Sequence, residues 1–270
     1  RTGRLIKIKN NKRHLVIELT DRLQNVCKDQ LCWLKQKFVK DIKDESIINN
    51  TFRPKGPSGK FDWLSTTNIN DVMDQYHTLY KDFRFFGAVP IDFDDLPSLG
   101  IKDLNLKKLF RDGGKRLGFV FNLDEHWKSG SHWVALYTNL KKNQIYFFDS
   151  YGKRPEKRIR SLVKKIAKWM NNNKNKGGYS SDDTIEQFSP NDSTSASYMK
   201  PYKKNKVEKK FNIEYNQNRH QFKNSECGVY SMNFIIRLLH GETFEDITIK
   251  KTLDDDMNYC RGIYFHNKNK

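Results

Sequence analysis

Cysteine, histidine and aspartate are the residue types that carry acyl-transfer chemistry, and this chain offers one spacing that could join them. Cys227 stands directly before Gly228-Val229-Tyr230-Ser231-Met232-Asn233-Phe234-Ile235-Ile236, an apolar run that reads as a buried helix through Leu239. A thiol attacks as the thiolate, and the free N–H groups and dipole at a helix N-terminus favour that anion. Gly228 leaves room for another backbone or a substrate to come close. The partner base should be a histidine, and His126-Trp127 competes with His132-Trp133 for the role. A hairpin turning over Asn139-Leu140-Lys141-Lys142-Asn143 separates them. Pairing Thr138 with Gln144 puts His132 opposite Ser150 and Trp133 opposite Asp149. A slip of one residue still leaves His132 beside Asp149, while His126 falls in a loop beyond the hairpin. Asp149 would then fix the imidazole tautomer and stabilise the imidazolium. Gln221 precedes Cys227 by six residues, and its amide could join the Cys227 N–H in holding an oxyanion.

The elements that must position these groups are mixed. Ser65, Thr66 and Thr67 are N-cap residues for a helix burying Ile69, Val72, Met73, Tyr76 and Tyr80. Strands are expected at Phe83–Val89, Leu117–Leu123, Trp133–Thr138 and Ile145–Asp149, with a further one through Phe211, Ile213 and Tyr215. An amphipathic helix is expected over Glu156–Met170, its outer face made of Lys157, Arg158, Arg160, Lys164, Lys165 and Lys168. Asp254, Asp255 and Asp256 read as caps of a last helix. Strands in the middle with helices around them predict the α+β class. Residues 1–59 read as a basic, mostly helical extension ending in a linker at Pro54, Gly56, Pro57 and Gly59. Residues 60–270 read as the core, with 171–206 as a polar, flexible insertion.

Composition narrows the function. Four cysteines in 270 residues do not form a disulfide framework, and Cys27, Cys32 and Cys260 read as packed thiols. No apolar run is long enough to span a bilayer and no secretory leader is visible, so an intracellular setting without membrane insertion is expected. The net charge of +18 favours polyanions or acidic proteins. No zinc-finger spacing, RNA-recognition motif or phosphate-binding loop is present.

The order His132-Trp133, Asp149, Gln221, Cys227-Gly228 resembles the ubiquitin-like-protein proteases and adenovirus-type proteases. Asn122–Tyr137 and Gln221–Tyr230 are most similar to the polyprotein-processing proteases of large cytoplasmic DNA viruses, of the African swine fever virus and giant-virus kind. Trp63-Leu64 before a helix resembles a further motif of that family. The resemblance covers about residues 60–170 and 210–265 and is weak before residue 60. In those viral enzymes the acid position can be Asn, whereas here it is Asp149. It implies a papain-like, adenain-like cysteine protease core of a mixed sheet flanked by helices. It also implies cleavage after Gly-Gly, with the glycines held between Trp63 and Trp133 in a slot too narrow for side chains. Cys227, His132, Asp149 and Gln221 would be catalytic, and Trp63, Trp133 and Gly228 would contact substrate. No metal or cofactor is expected. The implied substrates are viral structural polyproteins with Gly-Gly-Xaa sites, cut during virion maturation at an assembly site in the host cytoplasm. A deconjugase for a ubiquitin-like protein is the alternative, followed by an acetyltransferase or an inactive DNA-binding relative. DNA as cofactor or tether through the basic face at 157–168, and self-cleavage after Gly177-Gly178, complete the expectations.

Overall fold

The structure is a computed structural model that describes residues 53–59, 61–173 and 212–265. Most of the N-terminal extension, Cys27, Cys32 and Gly177-Gly178 lie outside the described residues.

Helix α1 (Thr66–Leu79) opens with a reciprocal cap, Ser65 accepting from the Asn68 N–H while Asn68 accepts from the Ser65 N–H. Strand β1 (Phe83–Pro90) follows, with a bulge between Phe85 and Ala88. Gly87 takes φ +93° there, and the freed Ala88 N–H donates to Asn70 Oδ1 of α1 at 2.8 Å. Two 3-10 turns and helix α2 (Leu106–Arg111) lead to β2 (Arg116–Asn122). Strands β3 (Trp133–Asn139) and β4 (Gln144–Phe148) form the expected hairpin. Helix α3 (Lys157–Asn173), β5 (Asn212–Tyr215), and helices α4 (Cys227–Leu239), α5 (Phe244–Ile249) and α6 (Asp254–Tyr264) complete the described chain.

The five strands form one mixed sheet in the order β1-β2-β3-β4-β5, parallel at both outer pairs and antiparallel between. The hairpin register differs by one residue from the expectation. Asn139 pairs with Gln144 and Thr138 with Ile145, because Asn143 adopts φ 53° and confines the turn to residues 140–143. The α3 helix also runs three residues past the expected Met170, to Asn173.

Helices cover both faces. Trp133, Ala135 and Tyr137 of β3 face α1, α4, α5 and α6, while Val134 and Leu136 face α2 and α3. All seven β3 residues are therefore buried. The consequence for the site is a rigid central strand, sandwiched between two apolar layers, with His132 at its leading end. The buried flank of α3 fits its amphipathic pattern, but its basic face is partly committed. Arg158 pairs with Asp94 and, at 2.8 Å, with Asp95; Arg160 donates to Pro155 O and Lys165 to Lys102 O.

Candidate active site

His132 ends the loop leading into β3, and Asp149 is the first residue after β4, so the antiparallel pairing sets them side by side. His132 Nε2 lies 2.7 Å from Asp149 Oδ1, both groups being buried. Cys227 is the first residue of α4, across the interface between the sheet and that helix, and is also buried. It lies close enough to the His132 side chain to help push the imidazole pKa up. With Nε2 committed to Asp149, Nδ1 is the imidazole nitrogen left for the thiol. Burial pushes the imidazole pKa down, but the hydrogen bonds to Asp149 and Cys227, and their charges, outweigh it and push it up to about 9. An imidazole so placed is protonated at neutral pH.

Asp149 is held on three sides. Its Oδ1 also accepts the Tyr151 N–H at 2.8 Å. Its own N–H donates to Asn216 Oδ1 at 2.8 Å, and Asn216 Nδ2 returns a bond to Asp149 O at 2.7 Å. Asn216 directly follows β5, so the outermost strand serves the site by carrying this amide. Tyr151 does more than shape the turn after Ser150: its ring stacks on His132 with centroids 4.5 Å apart and planes 15° from parallel.

Gln221 is fully buried on the loop into α4. Ser150 Oγ donates to its Oε1 at 2.6 Å, which fixes the amide orientation, and Nε2 donates to Lys223 O at 2.8 Å. One amide N–H remains for an oxyanion. The N–H of Cys227, as the first helical residue, has no intrahelical acceptor. The backbone N–H groups of His220 and Gln221 both donate to Ser150 O, tying this loop to the end of the hairpin.

Asp254, expected only as a helix cap, anchors the same loop. Its carboxylate accepts from the Phe222 and Lys223 N–H groups and from Tyr230 Oη. Arg261, 4% exposed, adds a second anchor by donating to Ser225 O at 2.7 Å and Asp62 O at 2.5 Å. Sequence reading missed Asn216, Tyr151, Asp254 and Arg261 in these roles. No signal in the sequence singles out Asp254 from its neighbours Asp255 and Asp256, or marks Arg261 as buried.

Trp133 is buried and donates from Nε1 to Leu64 O at 2.9 Å, whereas Trp63 is 47% exposed. The two indoles line one cleft of about 450 Å³ with Pro90, Asn122, Asp124 and His126. Gly228 differs from expectation: Leu64 fills the space beside it, and a Cβ there would meet Leu64 Cβ at 3.1 Å. The close approach is made by the protein's own side chain, which fixes the Trp63-Leu64 segment against α4.

The competing histidine has its own acid. His126 Nδ1 lies 2.6 Å from Asp92 Oδ2, and its N–H donates to Asp92 Oδ1. Burial pushes the Asp92 pKa up, but these bonds outweigh it and hold it below the usual carboxylate range. His126 sits in the cleft wall on the loop between β2 and β3, and Asp92 reaches it from the segment that follows β1. His220 packs edge-on to Phe148, accepts the Thr252 N–H at Nδ1, and is held low in pKa by burial. Burial pushes the Cys260 thiol up, as suits a packed cysteine. Among the described residues, no group of three or more His, Cys, Asp or Glu is placed to hold a metal, and no helix is long and apolar enough to cross a membrane.

Comparison with known proteins decides the family. The model of the Ulp1 protease family, C-terminal catalytic domain, matches residues 121–269. The chain belongs to the Ulp1 protease family. A protein of Acanthamoeba polyphaga mimivirus named as a thiol protease is 35% identical over 269 residues, covering 98% of this chain and 78% of that one. Cysteine protease S273R of African swine fever virus is 22% identical over 277 residues, covering 92% and 88%. The crystal structure of that virus's pS273R protease superposes with a TM-score of 0.58 at 19% identity, over 97% of this chain and 94% of its own, which shows a shared fold. This family member is a cysteine protease, and its mixed five-stranded sheet flanked by helices is the family's α+β architecture.

Proposed function

We propose that the protein is a cysteine endopeptidase that cuts after Gly-Gly in viral structural polyproteins during virion maturation. The observation that carries this is that two residues lining the Trp63–Trp133 cleft adjoin the Cys227–His132–Asp149 cluster: Trp133 directly follows His132, and Leu64 packs on Gly228, which directly follows Cys227. Two indoles flanking the approach to a nucleophile favour residues without side chains on steric grounds. Both named relatives are viral proteins, which supports a role at a virus assembly site in the host cytoplasm and in the virion.

Cys227 Sγ attacks the carbonyl carbon of the second glycine, and the carbonyl oxygen becomes an oxyanion. The Cys227 N–H and the remaining Gln221 amide N–H stabilise it. The intermediate collapses as His132 passes its proton to the leaving amine, breaking the C–N bond and leaving a thioester. His132, now neutral, takes a proton from water, whose oxygen attacks the thioester carbonyl. The thiolate leaves and the new carboxyl terminus departs. Asp149 holds the ring oriented throughout and stabilises its charged form.

The experiment is cleavage of Gly-Gly-Xaa and Ala-Ala-Xaa peptides by the protein and by Cys227→Ala, read by mass. Cleavage confined to Gly-Gly peptides and to the unmutated protein is expected. Equal cleavage of both peptide sets removes the specificity, and activity retained in Cys227→Ala removes the mechanism. An arm in which a Gly-Gly tail is linked to a lysine side chain separates this endopeptidase from a deconjugase.

A further inference from the structure

The site has two flanks, and they differ in chemistry. The Trp63–Trp133 cleft lies toward β1 and β2, through Pro90 and Asn122. On the other flank, beyond β4 and β5, a ladder of rings and cations leads outward from the catalytic imidazole. Tyr151 stacks on His132. The Arg219 guanidinium lies 5.2 Å from the Tyr151 ring centroid and 4.9 Å from that of Phe222. Lys153 Nζ lies over Tyr151 at 5.8 Å, and Lys251 Nζ over Phe222 at 5.7 Å. Phe222 is 57% exposed, a large apolar ring in water beside the nucleophile loop. Arg219, Lys153 and Lys251 are exposed too.

The anions around this ladder are committed elsewhere. Asp149 is buried on His132 and Tyr151, and Asp254 is buried on two backbone N–H groups. Asp255 pairs with Lys223. No carboxylate of the described residues forms an ion pair with Lys153, Arg219 or Lys251. Arg219 is nonetheless held in place, since its Nε donates to Gln221 O at 2.7 Å. That bond leaves the terminal N–H groups free, on a guanidinium fixed to the residue next to the nucleophile loop.

Stereochemistry says which part of a substrate meets this flank. If glycines fill the tryptophan slot up to the scissile carbonyl, the residues before the bond occupy the cleft side. The leaving amine must reach the His132 nitrogen that faces Cys227. The residue carrying that amine therefore lies against His132, and the next ones against Tyr151, Arg219 and Phe222.

We propose that Tyr151, Lys153, Arg219, Phe222 and Lys251 form the subsite for the leaving side of the substrate, and that it takes acidic side chains directly after the Gly-Gly pair. This deepens the Gly-Gly reading and rests on it. Arg219 offers a planar fork to a carboxylate, and the exposed Phe222 ring covers the aliphatic part of the same side chain. Acidic residues here also make the cut product leave slowly, so product inhibition by the released fragment accompanies the preference.

The test uses peptides identical through Gly-Gly and carrying Glu-Glu, Gln-Gln or Lys-Lys after it. At low salt, kcat/KM is expected to fall in that order, with Glu over Gln by about tenfold, the scale of two or three exposed ionic contacts. The Glu preference shrinks in Lys153→Gln/Lys251→Gln, a pair that leaves the Arg219–Gln221 bond intact, and shrinks further when Arg219→Gln is added. Equal cleavage of the Glu and Gln sets by the unmutated protein, or a Glu preference undiminished in the triple variant, overturns the subsite while the Gly-Gly reading stands. Cleavage of none of these peptides overturns the Gly-Gly reading, and the subsite falls with it.

Discussion

Replacing Asp149 by Asn tests how the imidazole is charged. The substitution keeps an oxygen where Tyr151 N–H and His132 Nε2 point, so the geometry survives while the negative charge goes. In the unmutated site the His132 pKa is pushed from 6.5 up to about 9 against the opposing effect of burial. Two unit charges about 4 Å apart interact by roughly 4 kcal/mol at an effective dielectric near 20, which is the ceiling for the Asp149 share. Cys227 supplies part of the shift as well, so the loss in Asp149→Asn is expected to be at least about one pH unit, or about 1.4 kcal/mol. The assay is the pH dependence of Cys227 alkylation and of peptide cleavage from pH 5 to 10.5. The descending limb, set near pH 9 by loss of the imidazolium proton, should move at least a unit toward neutral. Stability follows the same linkage. A histidine whose pKa is raised on folding stabilises fully below pH 6.5, and that contribution is lost as pH rises from 6.5 through 9. His132 is buried, so the contribution is on the order of 3 kcal/mol at its largest. Urea unfolding at pH 6 and pH 9.5 should therefore differ less in Asp149→Asn than in the parent. A descending limb that stays at pH 9 in the variant would refute the account of Asp149 as the source of the imidazolium.

Asn216→Ala removes both bonds that brace the Asp149 backbone and leaves buried groups unpaired; a loss of about 1–3 kcal/mol in urea unfolding and a lower kcat are expected, although no reacting group changes. Gly228→Val drives a side chain into Leu64, costing about 1–3 kcal/mol, and should raise KM for Gly-Gly peptides more than it lowers kcat, because Leu64 carries the acceptor of Trp133. Tyr151→Phe should retain activity and Tyr151→Leu should lower kcat/KM by about three- to tenfold, the value of one aromatic stack; equal activity in the two would show that the ring over His132 is only filler.

The proximity of Cys227, His132 and Asp149 was legible because each sits where a local pattern ends. Cys227 begins an apolar helical run, and His132 and Asp149 flank a hairpin whose turn residues are plain. The hairpin register differs by one because a turn's length depends on which residue adopts positive φ, and the polar stretch from Asn139 to Gln144 allows the strands to close on either side of Thr138. The supports were not legible. Asn216 is near Asp149 only because β5 adds in parallel beside β4, a pairing between segments 67 residues apart at Asp149 and Asn216, and Tyr151, two residues from Asp149, shows no local sign that its ring turns onto His132. Asp254 reads as one acid among three, and nothing local says that it alone turns inward to accept two backbone N–H groups. The basic face of α3 is legible as a pattern but not in its pairing: half of the named cations, Arg158, Arg160 and Lys165, are spent on neighbouring loops.

Arg261 gives the molecule an unusual dependence on its tail. One guanidinium near the end of the described chain spans Asp62 O and Ser225 O, the strip before Trp63 and the strip before Cys227. Arg53 grips the same helix at Gly262 O. A chain clipped ahead of α6 would keep the thiol, the imidazole, both carboxyl and amide partners, and the two indoles. It would lose the clasp that fixes the distance between the wall of the slot and the nucleophile. Such a clipped protein could carry a complete set of reacting groups and still be silent, so an intact C-terminal helix, rather than the presence of Cys227, is the better marker of a working copy.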